Sequence, residues 1–324
     1  MVDLLDPLEV KGLTLRNRIV MPPMHTGLAT TEGAVTDKLV EHYVQRSEAL
    51  GLMIVEHSYV SPRGRLSEKQ LGICDDHLVL GLEKLSSSIH ATATPAVVQI
   101  NHAGAFSSME ITGTQPVAPS SSGNARKLLV EEIEALTDAF AFSAERVIRA
   151  GFDGVEVHGA HGFLLNQFFS PLTNRRRDKY GGSLENRMRF PLEVVERIKE
   201  KVGGRLLLYR LGSDDLDPAG TQIEDSQKFA VNLEAAGVDI MDVSGGLCGS
   251  RPERFQNRQG YLIPQAYQIK KVVDTPVIGV GGIKEPEYAD KLIREGQVDL
   301  VAVGRELLKD PDWATKAVKT LKKI

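Results

Sequence analysis

Short apolar runs without polar alternation recur along the chain, and amphipathic stretches separate them. Eight runs predict strands at Ile19–Met24, Leu52–Val60, Ala96–Ile100, Gly154–His158, Leu206–Leu211, Asp239–Val243, Pro276–Val280 and Leu300–Val303. Each is rich in Val, Ile or Leu at successive positions, as parallel strands covered on both faces require. The clearest helix pattern spans Val130–Ala150, where Ile133, Leu136, Phe140, Val147 and Ile148 form one apolar stripe. Gly151 stops it in the manner of a left-handed cap. Ala236-Gly237 and Glu295-Gly296 repeat that stop ahead of the sixth and eighth strands. Eight strand–helix alternations predict an α/β fold, a single (β/α)8 barrel rather than an open doubly wound sheet.

Two stretches break the rhythm. One covers Asn101–Lys127 after the third strand, rich in Ser, Gly and Pro, and the other Phe168–Glu185 after the fourth. Both follow strand C-termini, where barrel enzymes place their sites, so they are expected to be active-site loops rather than linkers. The chain is therefore read as one domain over residues 1–324. Gly279-Val280-Gly281-Gly282-Ile283-Lys284 fails the G-x-G-x-x-G spacing at its third glycine, so no separate dinucleotide-binding unit is indicated. A nicotinamide donor would have to share the substrate's pocket.

Composition narrows the function classes. With 39 basic and 43 acidic side chains the net charge is −4, which offers no field for nucleic acid or anionic membrane. Cys74 and Cys248 are too few for a four-cysteine cluster. No apolar run approaches the roughly 20 residues that span a bilayer. A cytoplasmic enzyme acting on small molecules is the expectation, and a homo-oligomer is compatible with it.

The strand ends gather the chemistry: Met24 and His25; Glu56 and His57; Gln99, Asn101 and His102; His158 and His161; Arg210; Ser244 and Gly245; Gly281 and Gly282; Gly304 and Arg305. Five of the chain's eight histidines lie at this rim. Glycines after the last two strands, with Arg305, suit a phosphate, because backbone N–H groups can approach closely there. Arg210 ends a Leu-Leu-Leu-Tyr run and needs an anion, either a ligand or a structural partner such as Asp242. His158 and His161 can grip a carbonyl oxygen. A metal is the competing reading, disfavoured because no Asp or Glu sits beside the pair. No strand end carries a lysine, which counts against a Schiff-base aldolase.

These residues also carry a family resemblance across nearly the whole chain. Asn17–Met24 resembles the first barrel strand of the old yellow enzymes, particularly the thermophilic-like ene-reductases and the barrel part of 2,4-dienoyl-CoA reductases. The segment His158–Phe190, with Ser170–Asn174, Asp178, Tyr180–Ser183 and Glu185-Asn186-Arg187, is more specific, and Gly304–Leu308 with Asp310-Pro311 completes it. The resemblance implies bound FMN, reduced by NADH or NADPH at flavin N5 and reoxidised by a second substrate in the same pocket. It assigns Pro23, Met24, His25, His57 and Gln99 to the isoalloxazine, and Arg210 to its N1 and O2. Gly281, Gly282, Gly304 and Arg305 take the phosphate. His158 and His161 take the substrate carbonyl, with Phe163 and Tyr59 lining the substrate side.

Four departures stand out. Phe163 occupies the place of the family's proton-donating tyrosine, and a positioned acid is worth about 10²–10⁴ in rate. His25 replaces a flavin-tuning residue and is a candidate substitute acid, as are water and Tyr59. His57 stands at a usually small position, and Ala105 replaces the arginine of His-x-Gly-Arg. No arginine follows Arg305 in this sequence, so the C-terminal arginine that some relatives insert into a partner is not expected. The cluster and extra nucleotide domains of larger dienoyl reductases are also not expected. The function read from all this is reduction of electron-poor alkenes. The alternative is an oxidative dehydrogenase or demethylase of an amine or dihydro-ring, which would need no acid.

Overall fold

The computed structural model of the chain describes residues 2–255 and 258–323. Eight parallel strands close into a barrel: β1 (Ile19–Met21), β2 (Leu52–Tyr59), β3 (Ala96–Asn101), β4 (Gly154–Gly159), β5 (Leu206–Gly212), β6 (Ile240–Ser244), β7 (Val277–Gly279) and β8 (Leu300–Ala302). The first strand stops three residues short of the expected Met24. Pro22 and Pro23 have no N–H for the ladder, so pairing ends at Met21.

Each strand is followed by a helix that covers the outside of the barrel. These are α1 (Asp37–Ser47), α2 (Val79–His90), α3 (Val130–Arg149), α4 (Leu184–Val202), α5 (Ile223–Ala235), α6 (Ile263–Lys270), α7 (Pro286–Arg294) and α8 (Trp313–Leu321). On α3 the deepest face is Ile133, Phe140, Ala144 and Val147, with Leu136 and Ile148 at its margin. Gly151 follows at φ 86°, as the helix stop requires.

Inside the barrel, alternate residues Val20, Leu52, Ile54, Val97, Leu206, Leu208, Ile240, Ile278 and Leu300 pack as a separate apolar core. A hairpin, Leu8–Val10 paired with Leu13–Leu15, contributes Val10 and Leu15 to the same core and plugs the N-terminal mouth. Its turn, Lys11-Gly12, has both φ angles positive (52° and 78°), the geometry that joins twisted strands in two residues.

The two expected loop regions carry short elements of their own. After β3 come a 3-10 turn (Gly104–Phe106), a helix (Met109–Thr112) and two paired dipeptides, Val117–Ala118 and Arg126–Lys127. After β4 comes a helix at Leu164–Phe169. Arg176, 3 % exposed, ties the two regions together. It grips Asp178 at 2.7 Å and donates to the carbonyls of Pro119 and Leu128. Asn174 donates to the carbonyls of Phe168 and Tyr180, and Arg187 to that of Phe169. The His158–Phe190 signature is thus largely scaffold that orients the top of β4. Among the described residues, no helix is long and apolar enough to cross a membrane.

Candidate active site

At the C-terminal end of the barrel the strand ends surround a cavity of about 470 Å³. Pro23, Met24 and His25 reach it after β1, His57 from β2, Gln99 from β3, His158, His161 and Phe163 from β4 and its loop, and Arg210 from β5. Gly282 follows β7, and Gly304 and Arg305 follow β8. Of the residues that the family resemblance assigns to the site, all but Gly281 and Tyr59 line this space. Of the other strand-end residues, Glu56, Asn101, His102, Ser244 and Gly245 do not, and His102 lines a separate cavity.

Tyr59 is corrected. The β2–β3 register shifts between Val55 and Ser58, which separates the directions of His57 and Tyr59. Tyr59 donates to the Glu32 carbonyl at 3.0 Å, its ring filling the room that Gly33 and Gly72 leave. It is a packing residue beside the loop, outside the cavity. Gly281 is corrected in part. It sits at φ 131° behind the wall, where its carbonyl accepts from Gly260 N, and a Cβ would meet Leu262 N at 2.8 Å. Gly281 shapes the cradle while Gly282 faces it.

The histidine pair is held by a strained turn. His161 has φ 57° and Gly162 φ 75°, a left-handed conformation that costs a histidine roughly 1–3 kcal/mol. His161 N donates to the Gly245 carbonyl at 3.1 Å, and Gly162 N to Asn166 Oδ1 at 2.7 Å, which locks the turn. His161 Nε2 lies 2.7 Å from Ser244 Oγ, and the His158 and His161 ring centres are 5.1 Å apart. Burial, the neighbouring imidazole and Arg210 hold His158 well below its usual range. Burial, Arg210 and His57 do the same to His161. Both are neutral at pH 7, each with one N–H to give.

His57 is also neutral, pushed down to about 4 by burial and by His25. Its tautomer follows from Gln70. Leu66 N donates to Gln70 Oε1, so the Gln70 amide turns Nε2 toward His57 Nδ1 at 2.8 Å. Nδ1 accepts, and the proton of His57 is on Nε2. His25 stacks on His57 with ring centres 5.2 Å apart. Its Nε2 is 3.0 Å from Ser67 Oγ, and its Nδ1 is 3.7 Å from Oε1 of the buried Glu56. With 31 % of its side chain exposed, His25 joins the cavity to solvent.

Arg210 has the structural partner that the sequence offered and also faces the cavity. Its Nε lies 3.2 Å from Asp242 Oδ2. Strand-end reading missed Tyr261, Ser250 and Arg251, which return to the wall from the loop after β6. Tyr261 donates to the Ser250 carbonyl at 2.8 Å. Only the aromatic and basic character of that loop could have signalled this. Among the described residues no group of three or more His, Cys, Asp or Glu is arranged to hold a metal.

The description of the NADH:flavin oxidoreductase / NADH oxidase family matches residues 3–323. The chain belongs to this family. It is 45 % identical to an NADH oxidase of Thermoanaerobacter brockii, over 95 % of the chain but about half the length (50 %) of that relative. It is 39 % identical to an NADPH dehydrogenase of Geobacillus thermodenitrificans, covering 98 % of the chain and 94 % of that relative. Among solved structures it resembles the old yellow enzyme homologue of Zymomonas mobilis, with a TM-score of 0.87 at 28 % identity, covering 98 % and 93 % of the two chains. The chain is accordingly an NAD(P)H-dependent flavin oxidoreductase of the old yellow enzyme type, and FMN is its cofactor.

The cavity's own residues fit FMN. A buried cation stands on one side with its Nε unsatisfied by any hydrogen bond of good geometry. At the other end Gly282 and Gly304 keep a cradle open. A Cβ on Gly282 would meet Arg305 Nη2 at 2.8 Å, and one on Gly304 would meet Met24 Sδ at 3.0 Å.

Proposed function

We propose that the chain reduces electron-poor alkenes, such as enones, with electrons from NADH or NADPH. When bound, FMN supplies hydride exchange with both partners. Gly282, Gly304 and Arg305 hold the phosphate end, with Gly281 shaping the turn. Pro23, Met24, His57 and Gln99 hold the ring, and Arg210 stabilises negative charge on it.

The observation that carries the reading is the neutral His158–His161 pair on the cavity wall. Two neutral N–H donors grip a carbonyl oxygen without demanding an anionic substrate. They draw electron density from the conjugated β-carbon, which is the centre that must accept hydride. Ser244 holds His161 from behind. Phe163, 9 % exposed and 4.7 Å from the His158 ring, presents a carbon edge to this side and donates no proton. His25 is the proton source. It sits at the solvent rim, beside the Glu56 carboxylate and the Ser67 hydroxyl, and passes a proton inward through water.

The test is anaerobic turnover. Cyclohex-2-enone should give cyclohexanone with one NAD(P)H consumed per product. Consumption of nicotinamide only when oxygen is present would overturn the reading. Phe163 favours a second reading, oxidation of an amine or dihydro-ring, because removal of hydride needs no acid at that position. In that case reduction by the amine would outpace reduction by NAD(P)H.

A further inference from the structure

Beneath the cavity floor, inside the barrel, one guanidinium meets two carboxyl groups. Successive residues of a strand face opposite sides, so Gln99, Glu156, Arg210 and Asp242 point inward above the apolar core formed by Val97, Leu208 and Ile240. The registers place Glu156 beside Gln99 and Asp242 beside Arg210. Glu156 and Asp242 are fully enclosed at 0 % exposure. Gln99 Nε2 donates to Glu156 Oε2 at 2.6 Å, and Arg210 Nε lies 3.2 Å from Asp242 Oδ2.

With both carboxyls ionised, three oxygens are left without a donor: Glu156 Oε1, Asp242 Oδ1 and Asp242 Oδ2. Two anions would also face one cation in a dry interior, and an uncompensated buried charge is strongly unfavourable. One proton removes the excess charge and serves two of these three oxygens. On Glu156 Oε1 it donates to Asp242, with which Glu156 is in side-chain hydrogen-bond contact. Glu156 becomes neutral, and Asp242 balances Arg210.

We propose that Glu156 and Asp242 share one permanently held proton, seated on Glu156, and that this pair sets the charge Arg210 presents to the cavity and the orientation of the Gln99 amide. Burial and the Asp242 charge lift the Glu156 carboxyl well above the usual range; burial raises Asp242 as well, a rise that Arg210 and the Glu156 hydrogen bond oppose. The other titratable groups around Arg210 are His57, His158 and His161, which burial keeps neutral, and Tyr261, whose phenol burial pushes up. Gln99 turns Nε2 to Glu156, so its Oε1 is left to accept from the cavity side. The two acids are positioning residues, acting through Arg210 and Gln99. Their effect on flavin rests on the function proposed above, whereas the shared proton does not.

Infrared spectroscopy of the flavin-free protein at pH 7 tests the proton directly. A buried carboxylic-acid C=O band is expected, absent in Glu156→Gln and unmoved between pH 6 and 8. A wild-type protein without that band overturns the proposal, whether or not any variant folds. In the FMN-loaded enzyme, Asp242→Asn removes the anion opposing Arg210. It should favour reduced over oxidised flavin at least tenfold, an upward shift of about 30 mV for a two-electron couple. Glu156→Gln exchanges one neutral group for another and should change that ratio less than threefold. A shift in Glu156→Gln as large as that in Asp242→Asn contradicts the seating of the proton on Glu156. A carboxylic-acid band in a protein that binds no FMN would refute the reductase reading and leave the proton pair standing.

Discussion

Replacing Phe163 by tyrosine tests whether the active site lacks a positioned acid. The Phe163 ring lies 4.7 Å from the His158 ring and 5.5 Å from that of His57, on the cavity wall. Only 9 % of the residue is exposed. A phenol hydroxyl turned into the packed side would be buried without a partner, at roughly 1–3 kcal/mol, so it is expected to face the cavity. A positioned acid contributes about 10²–10⁴ in rate, and a phenol titrating near 10 supplies modest driving force at neutral pH. The lower end applies: about 10²-fold, or roughly 2.7 kcal/mol off the barrier. The assay is stopped-flow reoxidation. Protein reduced anaerobically with NADH is mixed with cyclohex-2-enone, and the return of flavin absorbance is timed. Phe163→Tyr should accelerate this step while leaving reduction by NADH within about twofold, since hydride transfer from nicotinamide needs no acid. A folded, flavin-loaded variant with unchanged reoxidation would refute the missing-acid reasoning.

Other consequences follow from the same geometry. Gly282 has φ 67°, and a Cβ there would crowd Arg305 Nη2. Gly282→Ala should therefore weaken FMN retention about tenfold, a loss of about 1.4 kcal/mol, read from flavin fluorescence after dilution; unchanged retention would remove Gly282 from the phosphate cradle. Ser244→Ala frees His161 Nε2, and losing about 1 kcal/mol of hydrogen bonding should raise the enone KM about fivefold, with NADH reduction as the control. Burial depresses His57 and His102 to about 4. The unfolded chain binds more protons than the folded one between their ordinary value near 6.5 and 4, so stability falls as pH drops through that window, by up to about 3 kcal/mol per imidazole. Denaturant midpoints flat from pH 7 to 4 would contradict this.

The barrel was legible because its strands are buried on both faces and read as unbroken apolar runs, while α3 shows a clean 3.6-residue stripe ended by Gly151. The hairpin at Leu8–Leu15 was not, since three-residue strands carry too little pattern and only Lys11-Gly12 marks its turn. Most cavity-lining residues could be found because a barrel fixes where strand ends point. Tyr59 went astray through the irregularity in β2 after Val55, which strict alternation cannot anticipate. Tyr261 and Arg251 reach the cavity by the path of a long loop, which depends on tertiary packing rather than on local pattern. Gly281 and Gly282 share a turn but divide its tasks, a distinction visible only in the backbone angles.

The central claim is that one cavity at the top of this barrel passes electrons from nicotinamide to an enone. The most direct measurement follows visible absorbance in one anaerobic cuvette of FMN-loaded protein, first on adding NADH or NADPH, then on adding excess cyclohex-2-enone. The account predicts that the flavin band bleaches and then returns. Bleaching without return would contradict the assignment of the acceptor, and no bleaching with either nucleotide would contradict the reductase itself.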